Sequence, residues 1–434
     1  MSPLMVGFVG FLVMLMLKGL RSPIGVGLAL IGCLGVWFLK DFDTALFVLG
    51  TAPVESLSRF TLAVFPLFIL MGIIALKAGL ADGLYNAASA MIGHWRGGLA
   101  IASIVGCGGF AAVNGSSLST AATMAKLAVP QMLRFGYDIR LATGSVAAGG
   151  TLGIMIPPSL GMIIYAVLTE SSIGKMFAAG IIPGIIAVIL YSIVISVWMR
   201  INPEMAPRTP KLSWVERLSA LKQVWGLALL FGIVMGGIFA GIFSPTEGGA
   251  AGAFAALVIG IATRRINWAV FVESIRESVE LTATVMLILV GVSIFEFFIT
   301  SAQFPQEMAS FIRGLDAPAG VVIAGIIAFL IILGGFMEVI AIIFITTPFI
   351  FPIIVDLGFD PIWWGIIMIM VGEFGVVTPP VGMNVFVVAK MVPNCSITDV
   401  FKGVMPFLIG DVVRLLLIIF IPGLALWLPG LLFD

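Results

Sequence analysis

The chain has 434 residues, 61% of them hydrophobic and 10% charged. Soluble domains run at about 45–50% apolar and about 25% charged residues, so this is the composition of a polytopic membrane protein. Lysine plus arginine (22) balance aspartate plus glutamate (22) and no basic tail is present, which leaves no electrostatic case for a nucleic-acid partner.

A helix needs about 20 apolar residues to cross a bilayer. The apolar runs here are continuous rather than alternating, which excludes a porin-like barrel and favours helices. In chain order the predicted spans are 3–17, 23–39, 60–77, 139–169, 176–199, 224–243, 247–263, 281–300, 361–392 and 404–428. Met1 to Met16 lacks a basic leader, and Lys18 and Arg21 follow the apolar run, so the first segment is expected to stay as an anchor. Two further apolar stretches, 97–133 and 319–355, have polar centres: Asn114–Thr120 reads NGSSLST and Gly334–Glu338 reads GGFME. Each is expected to be a re-entrant hairpin. Residues 82–95 and 303–316 are amphipathic and are expected to lie along the membrane faces. The polar segment 201–222, with Pro203, Pro207 and Pro210, is the expected cytoplasmic linker between an N-terminal half (1–200) and a C-terminal half (223–434).

The two halves carry related text, offset by 222 residues. Pro130–Asp138 (PQMLRFGYD) matches Pro352–Asp360 (PIIVDLGFD), and Gly153–Pro158 (GIMIPP) matches Gly375–Pro380 (GVVTPP). With the N-terminus outside, 16 of the 22 basic residues fall in cytoplasmic loops, as the positive-inside rule requires. That threading brings the first hairpin in from the cytoplasm and the second from the periplasm. The repeats are therefore expected to be inverted.

Non-helical backbone at membrane depth is tolerated only where it lines a cavity or is buried in protein. Pro157–Pro158 and Pro379–Pro380 must each break a span, because proline lacks the amide donor and pushes its predecessor out of the α region. Carbonyl oxygens freed at such breaks suit a hard cation such as Na⁺, and freed helix N-termini suit a carboxylate. Pairing each hairpin tip with its own break gives two expected Na⁺ sites: Asn114, Gly115, Ser117, Gly153, Ile156 and Pro158; and Gly334, Gly335, Gly375, Thr378 and Val381. An organic anion is expected between them, near Ser116, Ser119, Thr378 or Asn384. The plainer reading of any one of these glycines and serines is close helix packing; four clustered breaks in two related copies favour the sites.

Charges inside spans cost about 2.5–3.5 kcal/mol each by insertion scales. Asp411 and Arg414 are three apart and are expected to neutralise one another. Glu338 and Glu373 lie at the second tip and the second break, where a carboxylate tunes a cation site, carries a proton or simply bonds free amides. Glu296 reads as a subunit or scaffold contact, and Lys126 as facing cytoplasmic water. His94, the single histidine, is read as interfacial and given no proton relay. The three cysteines, Cys33, Cys107 and Cys395, lack metal or redox spacing and read as buried thiols. HExxH, GxSxG and P-loop signatures are absent, so an enzyme is not expected, and transport must be ion-driven or energised by another subunit.

Four stretches carry a family resemblance: Ser244–Phe254 (SPTEGGAAGAF), Asn114–Met124 (NGSSLSTAATM), Leu152–Ser159 (LGIMIPPS) and Thr378–Asn384 (TPPVGMN). Together they resemble the large membrane subunit of TRAP transporters, the DctM-like family, across essentially the whole chain. The resemblance implies an elevator-type symporter coupled to Na⁺, with no other cofactor. It also implies two partners in a bacterial inner membrane: a small membrane subunit of about four helices and a periplasmic substrate-binding protein. The chain opens on the large subunit's first helices, so the small subunit is expected to be separate. Substrates of the family include C4-dicarboxylates, sialic acid and sulfonates. Two other readings compete. A stand-alone Na⁺/divalent-anion symporter usually has Ser-Asn-Thr at its hairpin tips, unlike NGSSLST and GGFME. A membrane hydrolase needs a nucleophile–base pair, for which one interfacial histidine is poor material.

Overall fold

The computed structural model describes residues 3–19, 22–80, 82–314 and 317–433, and all regular structure among them is helical. Three helices open the chain: α1 (Pro3–Gly19), α2 (Ile24–Leu39) and α3 (Phe42–Leu57). α4 (Val64–Lys77) leads into the short amphipathic α5 (Asp82–Ile92). A helical pair follows, α6 (Gly98–Asn114) and α7 (Ser117–Arg134). Next comes a broken span of α8 (Ile139–Gly150), α9 (Leu152–Met155) and α10 (Leu160–Leu168), bent by 40°. The long α11 (Ile173–Ile201) ends the first half. The linker holds α12 (Trp214–Lys222), and α13 (Trp225–Phe231) runs through a π-helical turn into α14 (Gly237–Phe239).

The same succession then recurs. After α15 (Pro245–Ala262) come the long α16 (Trp268–Ser301), the short α17 (Phe304–Gly314), the pair α18 (Ala319–Gly334) and α19 (Val339–Asp356), and the interrupted pair α20 (Pro361–Val377) and α21 (Met383–Met391). α22 (Ile397–Phe420) and α23 (Gly423–Phe433) close the chain. Among the described residues six helices are long and apolar enough to cross a membrane, or up to eight if each of two bent pairs is one span.

Several sequence expectations need correction. α3 was not expected: Asp43, Thr44, Glu55 and Ser56 dilute its apolar run. Asp41 caps it by accepting from the Thr44 amide (2.7 Å), and the Ser56 hydroxyl donates to Ser293 Oγ of α16 (2.7 Å). Residues 404–428 are not one span, because the chain leaves the helix at Ile421–Pro422. The expected span 281–300 starts thirteen residues earlier, at Trp268, where Asn267 caps α16. Arg21, Met1 and the last two residues of the 303–316 stretch lie outside the described residues.

Glycine lets pairs of helices touch backbone to backbone. A Cβ on Gly291 would lie 2.2 Å from the Gly25 carbonyl oxygen, which seats α16 directly on α2. A Cβ on Gly403 would lie 2.0 Å from the Arg140 carbonyl oxygen, which does the same for α22 on α8. Aromatic and aliphatic side chains such as Trp37, Phe38, Phe47 and Phe254 point outward, as they do where the solvent is lipid.

The α7–α8 corner is held by Asp138. Its carboxylate accepts from the Arg140 amide (2.8 Å) and pairs with the Arg140 guanidinium (3.0 Å), while its own amide donates to the Met205 carbonyl (2.8 Å). The Arg140 guanidinium holds its pKa below the usual carboxyl value of 3.8. A depressed carboxyl pKa gives stability that is present above the unfolded value and is lost as pH falls through the folded one. Asp138→Ala is expected to cost about 1 kcal/mol, as for a lost N-cap. In a thermal melt the gap from wild type should persist at neutral pH and close only below pH 3.8.

Candidate functional site

The first hairpin tip is a two-residue break. Gly115 sits in the left-handed region (φ +59°), which a side chain disfavours, and Ser116 is extended and caps α7. The Thr120 hydroxyl donates back to the Ser116 carbonyl (2.8 Å). The first span breaks at Ile156–Ser159, where Pro157–Pro158 sits and the Ser159 hydroxyl donates to the Ile154 carbonyl. Tip and break are in contact. A Cβ on Gly153 would lie 2.5 Å from the Ser116 carbonyl oxygen, and one on Gly115 would lie 3.2 Å from the Pro158 carbonyl oxygen. Asn114, Gly115, Pro158 and Ser159 border a cavity of about 10 Å³, about the least that holds one water-sized species.

The second tip and break repeat this. The chain leaves α18 at Gly335 and re-enters helix at Val339, with Glu338 at the N-cap position of α19. The second span breaks over Thr378–Gly382, where Thr378 is extended and Gly382 is left-handed (φ +61°). A Cβ on Gly375 would lie 2.2 Å from the Gly334 Cα. The Val381 amide donates to the Gly335 carbonyl (3.2 Å), and the Thr378 amide and hydroxyl both reach the Gly375 carbonyl (3.2 Å each). Both Pro–Pro peptides are cis. The structure therefore brings each tip into contact with its own break, Gly115 and Ser116 with Pro158 and Gly153, and Gly334 and Gly335 with Gly375 and Val381.

Of the expected anion contacts, Ser116, Ser119 and Thr378 are half-buried, whereas Asn384 is fully buried. Its amide donates to the Ala147 carbonyl of α8 (3.3 Å), and its Oδ1 is buried without a partner. In this conformation Asn384 ties the second broken span to the first.

A polar chain through the protein joins these parts. The Ser117 hydroxyl, at the first tip, donates to Glu373 Oε1, beside the second break, at 3.1 Å. Both residues are buried, and Glu373 Oε2 has no partner. Nearby, Tyr191 donates to Asp411 Oδ1 (2.7 Å) and bonds Thr151 (3.1 Å), and Arg414 donates to the same Asp411 oxygen (2.8 Å). The Asp411–Arg414 pair follows from its spacing in sequence. Tyr191 and Thr151 do not, because their partners lie far away along the chain. A tyrosine in mid-span was the available signal.

The remaining charges take other places. Lys126 is exposed. Glu296, with Glu55, Arg59 and Glu170, lines a cavity of about 620 Å³ between α3, α16 and the end of α10, and Arg59 pairs with Glu170 at 3.3 Å. No group of three His, Cys, Asp or Glu side chains placed to hold a metal ion occurs among the described residues.

Broken helices paired with hairpin tips inside an all-helical, multi-span body define a membrane transporter architecture. Residues 8–424 match the family model described as the tripartite ATP-independent periplasmic transporter, DctM component. The chain belongs to this family of TRAP transporter large permeases. It is 38% identical to a C4-dicarboxylate TRAP transporter large permease protein of Pseudomonas aeruginosa, over 87% of this chain and 88% of the relative. It is 34% identical to the isethionate TRAP transporter permease protein DctMQ of Oleidesulfovibrio alaskensis, over 99% of this chain and 67% of the relative. It is also 34% identical to the ectoine TRAP transporter large permease of Halomonas elongata, over 85% of this chain and 86% of the relative. In fold it resembles the Alcanivorax borkumensis YdaH transporter, with a TM-score of 0.61 at 14% identity over 90% of this chain and 89% of that one. The protein is thus a multi-pass permease of a tripartite system, as its sequence resemblance implied.

Proposed function

We propose that the chain is the large subunit of a Na⁺-coupled symporter that imports an organic acid anion by an elevator movement. The observation that carries this reading is the pair of junctions, each placing a hairpin tip against a Pro–Pro break, 222 residues apart in related sequence. Carbonyls at helix breaks coordinate Na⁺ well, and the N-termini that follow the breaks suit an anion. Site one would use carbonyls around Asn114, Gly115, Ser117, Gly153, Ile156 and Pro158; site two would use those around Gly334, Gly335, Gly375, Thr378 and Val381. The anion would meet Ser116, Ser119 and Thr378, with Asn384 freed from Ala147 on binding. The named substrates of the relatives share an anionic carboxylate or sulfonate group, which supports this substrate class.

In this reading the halves insert with opposite topology, the hairpins are re-entrant, and the N-terminus faces the periplasm of a bacterial inner membrane. The close-packed α2–α16 pair belongs to the static scaffold, and the α8–α22 pair to the moving unit. A periplasmic binding protein delivers the anion, and a small membrane subunit supports the scaffold. Uptake by proteoliposomes containing both membrane subunits tests the proposal. Uptake should require one binding protein together with an inward Na⁺ gradient. Equal uptake without any binding protein would assign the chain to stand-alone symport instead.

A further inference from the structure

The linker between the halves carries a site that the transport reading does not use. Ser213 and Glu216 form a capping box that starts α12. The helix is pinned to the body: the Thr209 hydroxyl donates to the Gly93 carbonyl (2.7 Å), and the Gln223 carbonyl would lie 2.7 Å from a Cβ on Gly83 of α5. Arg217 is turned inward, with only 5% of its surface exposed. A buried guanidinium needs an anion or a full set of acceptors. Among the described residues no carboxylate lies within ion-pair distance of Arg217, and its Nε is buried without a partner. Its Nη2 meets His94 Nδ1 at 3.3 Å, and its Cζ lies over the Trp214 ring, 5.1 Å from the ring centroid. Burial, Arg217 and Lys211 together hold the His94 pKa below its usual value of 6.5.

The outer face of α12 is apolar. Trp214, Val215, Leu218 and Leu221, with Trp225 at the start of α13, are 50–78% exposed and fall on one helical stripe. α12 meets α13 at 43°, so it turns aside from the span that follows it. An apolar stripe with tryptophans, bounded by Lys211 and Lys222, is the pattern of a helix lying in the membrane interface.

We propose that α12 lies in the membrane surface and that Arg217, with His94 and Lys211, binds the phosphate of an anionic phospholipid headgroup. The apolar stripe commits the site to a lipid, since a free phosphate has no use for it, and its continuity with the apolar segment Trp225–Phe239 commits the face to the membrane. The full chain is reconstituted in nanodiscs of phosphatidylcholine with phosphatidylglycerol. Lipids retained after purification are measured by native mass spectrometry, and a spin label on Leu218→Cys reports depth. The label is expected in the acyl region, quenched by oxygen and not by a water-soluble relaxant. Arg217→Gln is expected to retain phosphatidylglycerol about tenfold less well than wild type, as for loss of a charge-assisted bond, with Arg217→Lys restoring part of it. A label in water would overturn the interfacial helix. Equal phosphatidylglycerol retention in Arg217→Gln would overturn the headgroup site, and so would displacement of the lipid by inorganic phosphate alone.

Discussion

Alanine at Gly375 or at Gly153 is expected to raise the Na⁺ concentration needed for uptake roughly 10–100-fold while the protein still inserts in wild-type amount. Neither glycine is needed for its φ angle; both are needed because another backbone lies where a Cβ would go. The Gly375 Cβ would sit 2.2 Å from the Gly334 Cα, and the Gly153 Cβ 2.5 Å from the Ser116 carbonyl oxygen. No side chain can rotate away at either contact, so the hairpin tip must move. Overpacking of a tight contact costs about 1–3 kcal/mol, which at about 1.4 kcal/mol per decade weakens Na⁺ binding roughly 10–100-fold. The half-saturating Na⁺ concentration for uptake reads this directly. Gly50→Ala, with nothing within 4 Å of the new Cβ, is the control and should leave it unchanged. Unaltered Na⁺ dependence in both junction variants would remove the tip-on-break geometry from the mechanism.

Glu373→Met is expected to separate the two proposed cation sites. Glu373 lies two residues before Gly375 of the second junction and accepts from Ser117 of the first (3.1 Å). In the proposed two-site reading this bond would pass a movement of the first tip to the end of α20. Methionine keeps the volume and apolar contacts but loses the acceptor. The Na⁺ dependence of uptake should then fall from sigmoid to hyperbolic, with the Hill coefficient dropping towards 1. Ser117→Ala should act alike, and the double variant should add little to either, because both break one bond. Glu373→Gln keeps an acceptor for the Ser117 hydroxyl and should retain cooperativity. A hyperbolic wild type, or a sigmoid Glu373→Met, would show that this bond does not link the sites.

The breaks were legible in the sequence because proline and glycine act locally. Pro157–Pro158 and Pro379–Pro380 stop helices whatever surrounds them, and the polar-centred stretches 97–133 and 319–355 coincide in their bounds with the helix pairs α6–α7 and α18–α19 to within a residue or two. Asp411–Arg414 was readable for the same reason, since one helix turn brings the two together (2.8 Å). What could not be read depends on distant partners. α3 is too polar to pass as a span and is matched by Ser293 on α16. The Ser117–Glu373 bond joins residues 256 apart, and no local rule relates them. Pro422 is a local signal outweighed by the apolar run on both sides, so the sequence predicts one span over 404–428. In the motif Ser244–Phe254 the structure adds a capping box: the Ser244 amide donates to the Glu247 carboxylate (2.8 Å), starting α15 at Pro245.

The most direct test of the central claim is equilibrium binding of radioactive Na⁺ to the purified permease, with Gly153→Ala and Gly375→Ala alongside. Two Na⁺ per chain are expected in wild type, excess K⁺ should not displace them, and each variant should lose one at the same Na⁺ concentration. No saturable Na⁺ binding, or binding untouched by either substitution, would contradict the account of the two junctions as cation sites.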